Sequence, residues 1–329
     1  MSEMKSEKKI VKADKKPEEK PAYDVIIIGG GFAGLSAAIY SARYNLKTLV
    51  ISKQPGGAII NAAHVENYPG YVNISGIELM QKFEEQAKSC GAEILIDDAI
   101  GVMKHKEEFK VETEQQKELL SNAIIIATGT DRRKLEVPGA KEYESKGVHY
   151  CATCDGAFYK NKVVAVIGGS NSSAHAAMLL SRIAKQVYIL YRGEEMRCEP
   201  ILCTHMEELG NIKMIFNTNV VQVKGTKFLD KIILDRPFDG SVELAVDGLF
   251  VEIGSVPSSA IAKQLGVELT QSGEIKVNIQ QETNVKGVFA AGDVTNTPLR
   301  QGIIAAAQGV KAATSAYKML TGKKVTGAW

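Results

Sequence analysis

The sequence predicts an α/β protein of two three-layer domains, the second inserted into the first. Three observations carry this reading. A strand, glycine turn, helix and strand begin at Tyr23, and the same order of events begins again at Lys162. Two apolar stretches, Ala123 to Gly129 (AIIIATG) and Leu249 to Gly254 (LFVEIG), each stop at a glycine and bracket the second copy. The length, 329 residues, is too great for one ordinary core and sufficient for two.

Taken in order, Met1 to Lys20 is rich in Lys and Glu and nearly free of large apolar side chains. Residues 1–21 are therefore expected to be a solvated, disordered tail, without the apolar stretch of a secretion signal. Tyr23 to Ile28 (YDVIII) reads as a buried parallel strand, and Leu35, Ile39 and Ala42 have helical spacing behind it. Leu46 to Ile51 (LKTLVI) completes a βαβ unit. The second unit is Lys162 to Ile167 (KVVAVI), a helix through Met178 and Leu180, and Val187 to Tyr191 (VYILY). Residues 22–130 and 255–329 are expected to form one domain, and 131–254 the inserted one. A domain joined through two neighbouring strands can rotate as a unit.

Composition excludes several classes. With 45% hydrophobic and 24% charged residues the chain reads as soluble and globular. A net charge of +2 gives no reason to expect nucleic acid or an acidic membrane surface as partner. No apolar run reaches the roughly 18 residues that span a bilayer. The five cysteines (Cys90, Cys151, Cys154, Cys198 and Cys203) are too few for a disulfide scaffold of this size. A reducing, cytoplasmic setting with one working pair is expected.

Gly29-x-Gly31-x-x-Gly34 follows a strand and opens a helix, which is the context a Rossmann-like dinucleotide site requires. Glycine permits the tight turn and the close approach of backbone to pyrophosphate, and the helix N-terminus faces the phosphates. The acid that normally grips the ribose is missing, because the second strand ends in Ser52-Lys53. Near the other end, Gly287 to Asp293 (GVFAAGD) reads as a strand and an acidic loop, followed by Arg300-Gln301 and an Ala-rich helix.

Cys151-Ala-Thr-Cys154-Asp155-Gly156 is the most informative stretch. A two-residue spacing lets the sulfurs meet, and such motifs commonly lower the attacking thiol's pKa. Asp155 stands where a carboxyl can pass protons to a leaving thiolate. The alternatives are inert thiols, or a zinc site completed by Cys198 and Cys203, against which their wider spacing argues. No metal is expected. Cys90, at a helix end, reads as a packed small hydrophobe.

From Ala22 to Leu320, the order of these motifs resembles low-molecular-weight thioredoxin reductases: GxGxxG, CATCDG ahead of a second glycine turn, and GVFAAGD with a following Arg-Gln. The resemblance implies FAD on Gly29, Gly31 and Gly34, with Asp293 on the ribitol chain and Arg300 and Gln301 near the flavin ring. It implies Cys154 nearest the flavin, Cys151 as the thiol attacking a protein disulfide, and Asp155 as acid/base. It further implies a homodimer, a rotating second domain, and a thioredoxin- or glutaredoxin-like protein as substrate. The second nucleotide motif departs from the pattern. Gly168-Gly169-Ser170-Asn171-Ser172-Ser173 puts a side chain at the middle position, His175 and Ala176 replace acids, and Tyr191-Arg192-Gly193 replaces His-Arg-Arg. Ser170, Arg192 and Arg197 are the residues left to meet an NADPH phosphate, with Glu194 and Glu195 beside them as alternative partners of the two arginines.

Other readings have distinct signatures. An FAD-linked dithiol oxidase would consume oxygen with a dithiol, since thiol–disulfide exchange runs either way. A flavoprotein passing electrons to a ferredoxin-type partner would survive loss of Cys154. A non-enzymatic nucleotide- or zinc-binding module would bind metal and carry no yellow colour.

Overall fold

A computed structural model describes residues 22–62, 64–323 and 325; the tail expected over 1–21 lies outside the described residues. The chain begins with β1 (Tyr23–Ile28), α1 (Phe32–Arg43) and β2 (Thr48–Ser52), then α2 (Gly76–Ser89) and β3 (Glu93–Ile96). Next come β4 (Ala99–His105), β5 (Glu108–Thr113) and β6 (Glu118–Ile126). It crosses on β7 (Thr130–Arg132) to β8 (Val148–His149), α3 (Ala152–Asp155), β9 (Val163–Ile167), α4 (Asn171–Ser181) and β10 (Gln186–Leu190). There follow α5 (Pro200–Glu207), β11 (Ile212–Ile215), β12 (Val220–Gly225), β13 (Leu229–Phe238), β14 (Ser241–Ala245) and β15 (Gly248–Val251). It returns on β16 (Ser255–Pro257), then α6 (Ala260–Gln264), β17 (Val288–Ala290) and α7 (Gly302–Thr321).

Both units are α/β and three layers deep, built around a parallel sheet. In the first, β3-β2-β1-β6 run parallel, β17 adds to β6 in parallel, and β5 and β4 continue from β6 antiparallel. Successive side chains of a strand face opposite sides of its sheet. Val25 and Ile27 accordingly pack with α1, α2 and α7, while Ile26 and Ile28 pack with Val102, Phe109 and Ile261 on the other face. In the second unit β11-β10-β9-β15-β8 are all parallel. Val164 and Val166 pack under α4 and α5, and Ala165 packs on the antiparallel β12-β13-β14. Strands buried on both faces must be apolar throughout, which is why YDVIII and KVVAVI carry no alternation.

The two crossing segments are neighbours. β7 and β16 pair antiparallel, with Arg132 opposite Ser255 and Thr130 opposite Pro257. Gly129 (φ +66°) and Gly254 (φ +100°) flank this ribbon, and a Cβ at either would meet nothing within 4 Å. These glycines are present for backbone conformation and not for close packing.

Candidate active site

The short strand β8 lies at the edge of the second parallel sheet and delivers Cys151 to the N-cap of α3. The Cys154 backbone N–H donates to Cys151 Sγ at 3.1 Å. Cys151 and Cys154 form a disulfide with Cα atoms 5.3 Å apart. Cys154 Sγ lies 3.8 Å from Oδ1 of Asn61, which ends a 3₁₀ turn (Gly57–Asn61) of the first unit. The redox pair therefore sits against the first unit, beside the segment that also borders Gly31.

One turn of α3 brings Asp155 back over β8. His149 Nδ1 is 3.1 Å from Asp155 Oδ2, and His149 Nε2 is 2.6 Å from the Tyr159 hydroxyl. The imidazole is 8% exposed and stacks on Phe250 at 5.4 Å. Burial drives its pKa below the ordinary histidine value, against the opposing pull of Asp155. The ring is thus neutral near pH 7, with Nδ1–H donating to the carboxylate and Nε2 accepting from the phenol. Tyr159 is pushed up to about 12, by burial first and then by Asp155 and Asp247, so it stays a donor. Sequence reasoning missed both His149 and Tyr159. The available signal was a histidine two residues ahead of Cys151, at the end of a short strand.

The three glycines of the first turn have different reasons to be there. Gly29 has φ +109°, and a Cβ on it would meet Ala127 O at 2.2 Å; one on Gly34 would meet Gly29 O at 1.8 Å. The chain's own packing demands both. Gly31 has φ −83°, and the nearest atom to a Cβ there is Gly57 Cα at 3.9 Å. Nothing in the protein requires glycine at Gly31. A pyrophosphate lying on this backbone would, and Gly31 is also the N-cap of α1, with no side-chain cap and no acid in the first turn. Lys53, where an acid was missed, pairs with Asp98 and Glu114 at 3.6 and 3.5 Å.

Asp293 follows β17, half-buried, and its carboxylate makes no hydrogen bond among the described residues. Burial raises its pKa, opposed by Arg300. A half-buried acceptor of this kind fits a polyol hydroxyl. Arg300 is held by Glu274 at 2.7 Å and reaches Ser255 of β16 at 3.4 Å. Gln301 caps the start of α7 and accepts from Asn67 Nδ2 at 3.3 Å. Asn61 and Asn67 were also missed. They lie in a segment without regular periodicity, and only their position beside Gly56-Gly57 marks it.

In the second turn, Gly168 (φ +143°) would drive a Cβ to 2.3 Å from Glu252 O. Ser170 is the exposed N-cap of α4 and makes no side-chain capping bond. The Tyr191 ring is wedged between Gly169 and Gly193, where a Cβ on either would come within 2.6 Å of it. Arg192 and Arg197 are exposed, and neither pairs with Glu194 or Glu195, the alternative their sequence offered.

Residues 23–318 match the family model of pyridine nucleotide-disulphide oxidoreductases. The thioredoxin reductase of Bacillus subtilis (strain 168) is 40% identical over 300 residues, covering 90% of this chain and 94% of that protein. The crystal structure of Lactococcus lactis thioredoxin reductase in its FR conformation superimposes with a TM-score of 0.87 at 38% identity, over 92% of this chain and 100% of that one. Thioredoxin reductase of T. acidophilum gives 0.85 at 36% identity, over 90% and 98%.

Proposed function

The chain belongs to the pyridine nucleotide-disulphide oxidoreductases, and from that membership we propose that it is an FAD-dependent enzyme reducing the disulfide of a thioredoxin-like protein through Cys151 and Cys154. The observation that carries this is the bonded cysteine pair seated against Asn61, next to the glycine turn at Gly31. Residues 22–130 and 255–329 are proposed as the FAD domain and 131–254 as the domain carrying the redox pair. Gly29, Gly31 and Gly34 would hold the pyrophosphate, Asp293 the ribitol, and Arg300 and Gln301 would border the flavin ring. FAD held there and reduced by the electron donor would supply the electron pair that opens the disulfide.

Once the pair is reduced, the Cys151 thiolate attacks the substrate disulfide and Cys154 resolves the mixed disulfide, restoring the Cys151–Cys154 bond. Asp155 takes the proton of the attacking thiol and passes it to the leaving thiolate. His149 and Tyr159 hold that carboxyl and connect it to the interior. With Cys154 against Asn61, a protein partner would have to compete with the first unit for the same face. The inserted domain must therefore swing about β7 and β16 between half-reactions. The proposal includes a homodimer and a cytoplasmic setting, where protein dithiols are kept reduced.

For the donor, the reading is NADPH held weakly. Arg192 and Arg197 have no side-chain ion pair among the described residues and are available for a 2′-phosphate, while Ser170 and the Tyr191 ring crowd the turn the pyrophosphate would use. Anaerobic titration of the yellow protein with NADPH, then NADH, then dithionite tests the whole reading. The expected result is bleaching by NADPH only at high concentration, reoxidation by oxidised thioredoxin, and loss of thioredoxin reduction in Cys154→Ser. Oxygen uptake with a dithiol and no thioredoxin reduction would overturn it in favour of an oxidase. Electron transfer to ferredoxin that survives Cys154→Ser would overturn it in favour of a transferase.

A further inference from the structure

Cys198 and Cys203 take no part in the chemistry above. Their sulfur atoms nevertheless lie 3.0 Å apart, both are half-buried, and both pack against the buried cluster that includes Leu202 and Met206. Cys198 ends the loop that carries Arg192 and Arg197, and Cys203 stands on α5. The backbone around them is pinned. Arg197 N–H donates to Gly169 O at 2.6 Å, Glu199 N–H donates to Asn171 Oδ1 at 2.8 Å, and Asn171 Nδ2 donates back to Glu199 Oε1 at 2.9 Å. Two sulfurs presented this way need move only about 1 Å to reach bonding distance, roughly 2.05 Å. Among the described residues, no group of three or more His, Cys, Asp or Glu that could hold a metal forms around them.

We propose that Cys198 and Cys203 are a second redox site, a reversible disulfide formed by exchange with a low-molecular-weight disulfide such as glutathione disulfide. One thiolate of the pair attacks that disulfide, forming a mixed disulfide and expelling one small thiolate. The other attacks the protein sulfur of the mixed disulfide, forming the Cys198–Cys203 bond and expelling the second small thiolate. The pair gives up two electrons and two protons, and the small disulfide takes both as two thiols. Excess thiol reverses the steps. Burial, and then the neighbouring Cys203, hold the Cys198 thiol up at about 12, so Cys198 itself rests protonated. Oxidation of the pair ties the arginine-bearing loop to α5, beside the second glycine turn.

The test uses the full-length, flavin-loaded protein equilibrated in glutathione buffers from reducing to oxidising. After an acid quench, free thiols are blocked with N-ethylmaleimide in denaturant, and the protein is digested with trypsin. Cleavage leaves Cys151 and Cys154 in one peptide, Gly147 to Lys160, and Cys198 and Cys203 in another, Cys198 to Lys213. The second peptide is expected to lose both labels together and become two hydrogens lighter than its dithiol form. In Cys198→Ser, Cys203 is expected to collect a glutathione adduct instead. The proposal fails if the peptide stays doubly labelled in buffers that fully oxidise Cys151 and Cys154, or if glutathione adducts accumulate on it in the unsubstituted protein. Each peptide is scored separately, so neither result bears on the activity proposed for the first pair.

Discussion

At the scale of the residue, the chemistry turns on what surrounds Asp155. Replacing His149 with Asn removes the donor to that carboxylate and the acceptor for Tyr159, while the two cysteines are left alone. A hydrogen bond to a charged group is worth roughly 1.5–3 kcal/mol, so disulfide exchange is expected to slow about tenfold or more. Stopped-flow oxidation of the reduced enzyme by a protein disulfide measures this, and an unchanged rate would remove His149 from the relay. The same residue sets a pH dependence of stability. Its pKa is lowered in the folded state by burial, so below about 6.5 the unfolded chain binds a proton that the folded one refuses. Stability should therefore fall as pH drops from about 6.5 toward the lowered value. Melting temperatures between pH 5 and 8 (a window of about three units around the histidine range) should show the slope, and His149→Asn should flatten it. Cys151, Cys154 and Asp155 could be proposed from the sequence because the motif that suggests their chemistry is local. His149 was not, because it meets Asp155 only after a strand end and one turn of α3 have folded back on each other.

At the scale of the element, the crossing of α1 and α7 decides how the first glycine turn is aimed. A Cβ on Gly309 would lie 2.0 Å from Ala33 O, a backbone atom that cannot step aside. Gly309→Ala is expected to cost about 1–3 kcal/mol through forced separation of the helices. It should release FAD as α7 and Asp293 shift. Gly31→Ala is the informative contrast, because its Cβ has room and its φ is ordinary. Its apoprotein should melt within about 0.5 kcal/mol of the parent, as surface substitutions do, while FAD affinity drops. Equal FAD affinity in the two proteins would mean that no pyrophosphate lies on this backbone. The parallel strands, the two glycine turns and the long last helix were legible from apolar runs and punctuation. The layers made by β4-β5 and by β12-β13-β14 were not. Half-exposed antiparallel strands such as Leu229 to Phe238 (LDKIILDRPF) mix apolar and charged residues without a clean period, and their place on the sheet depends on contacts far away in sequence.

At the scale of the whole molecule, the contact of Cys154 with Asn61 reports how the two units are set against each other. Asn61→Cys in a Cys151→Ser background places a thiol one bond short of the Oδ1 that now lies 3.8 Å from Cys154 Sγ. A cross-link over 93 positions is expected to form on mild oxidation, visible as faster migration on a non-reducing gel. Failure to form it would mean that this arrangement is little visited in solution. Insertion of one unit into the other was legible from the two glycine-terminated strands. The pairing of β7 with β16 was not, since no local pattern in Thr130 to Arg132 or Ser255 to Pro257 declares a partner.

That pairing also makes the inserted unit separable. Its entry and exit are neighbouring strands, which lie about 4.8 Å apart, so a linker of two or three residues would reconnect the parent chain without stretching it. The intervening stretch could be lifted out as a cassette, or exchanged for one from a relative that uses a different electron donor. The donor specificity of such a protein could then change in a single recombination event, with the flavin-side framework left untouched.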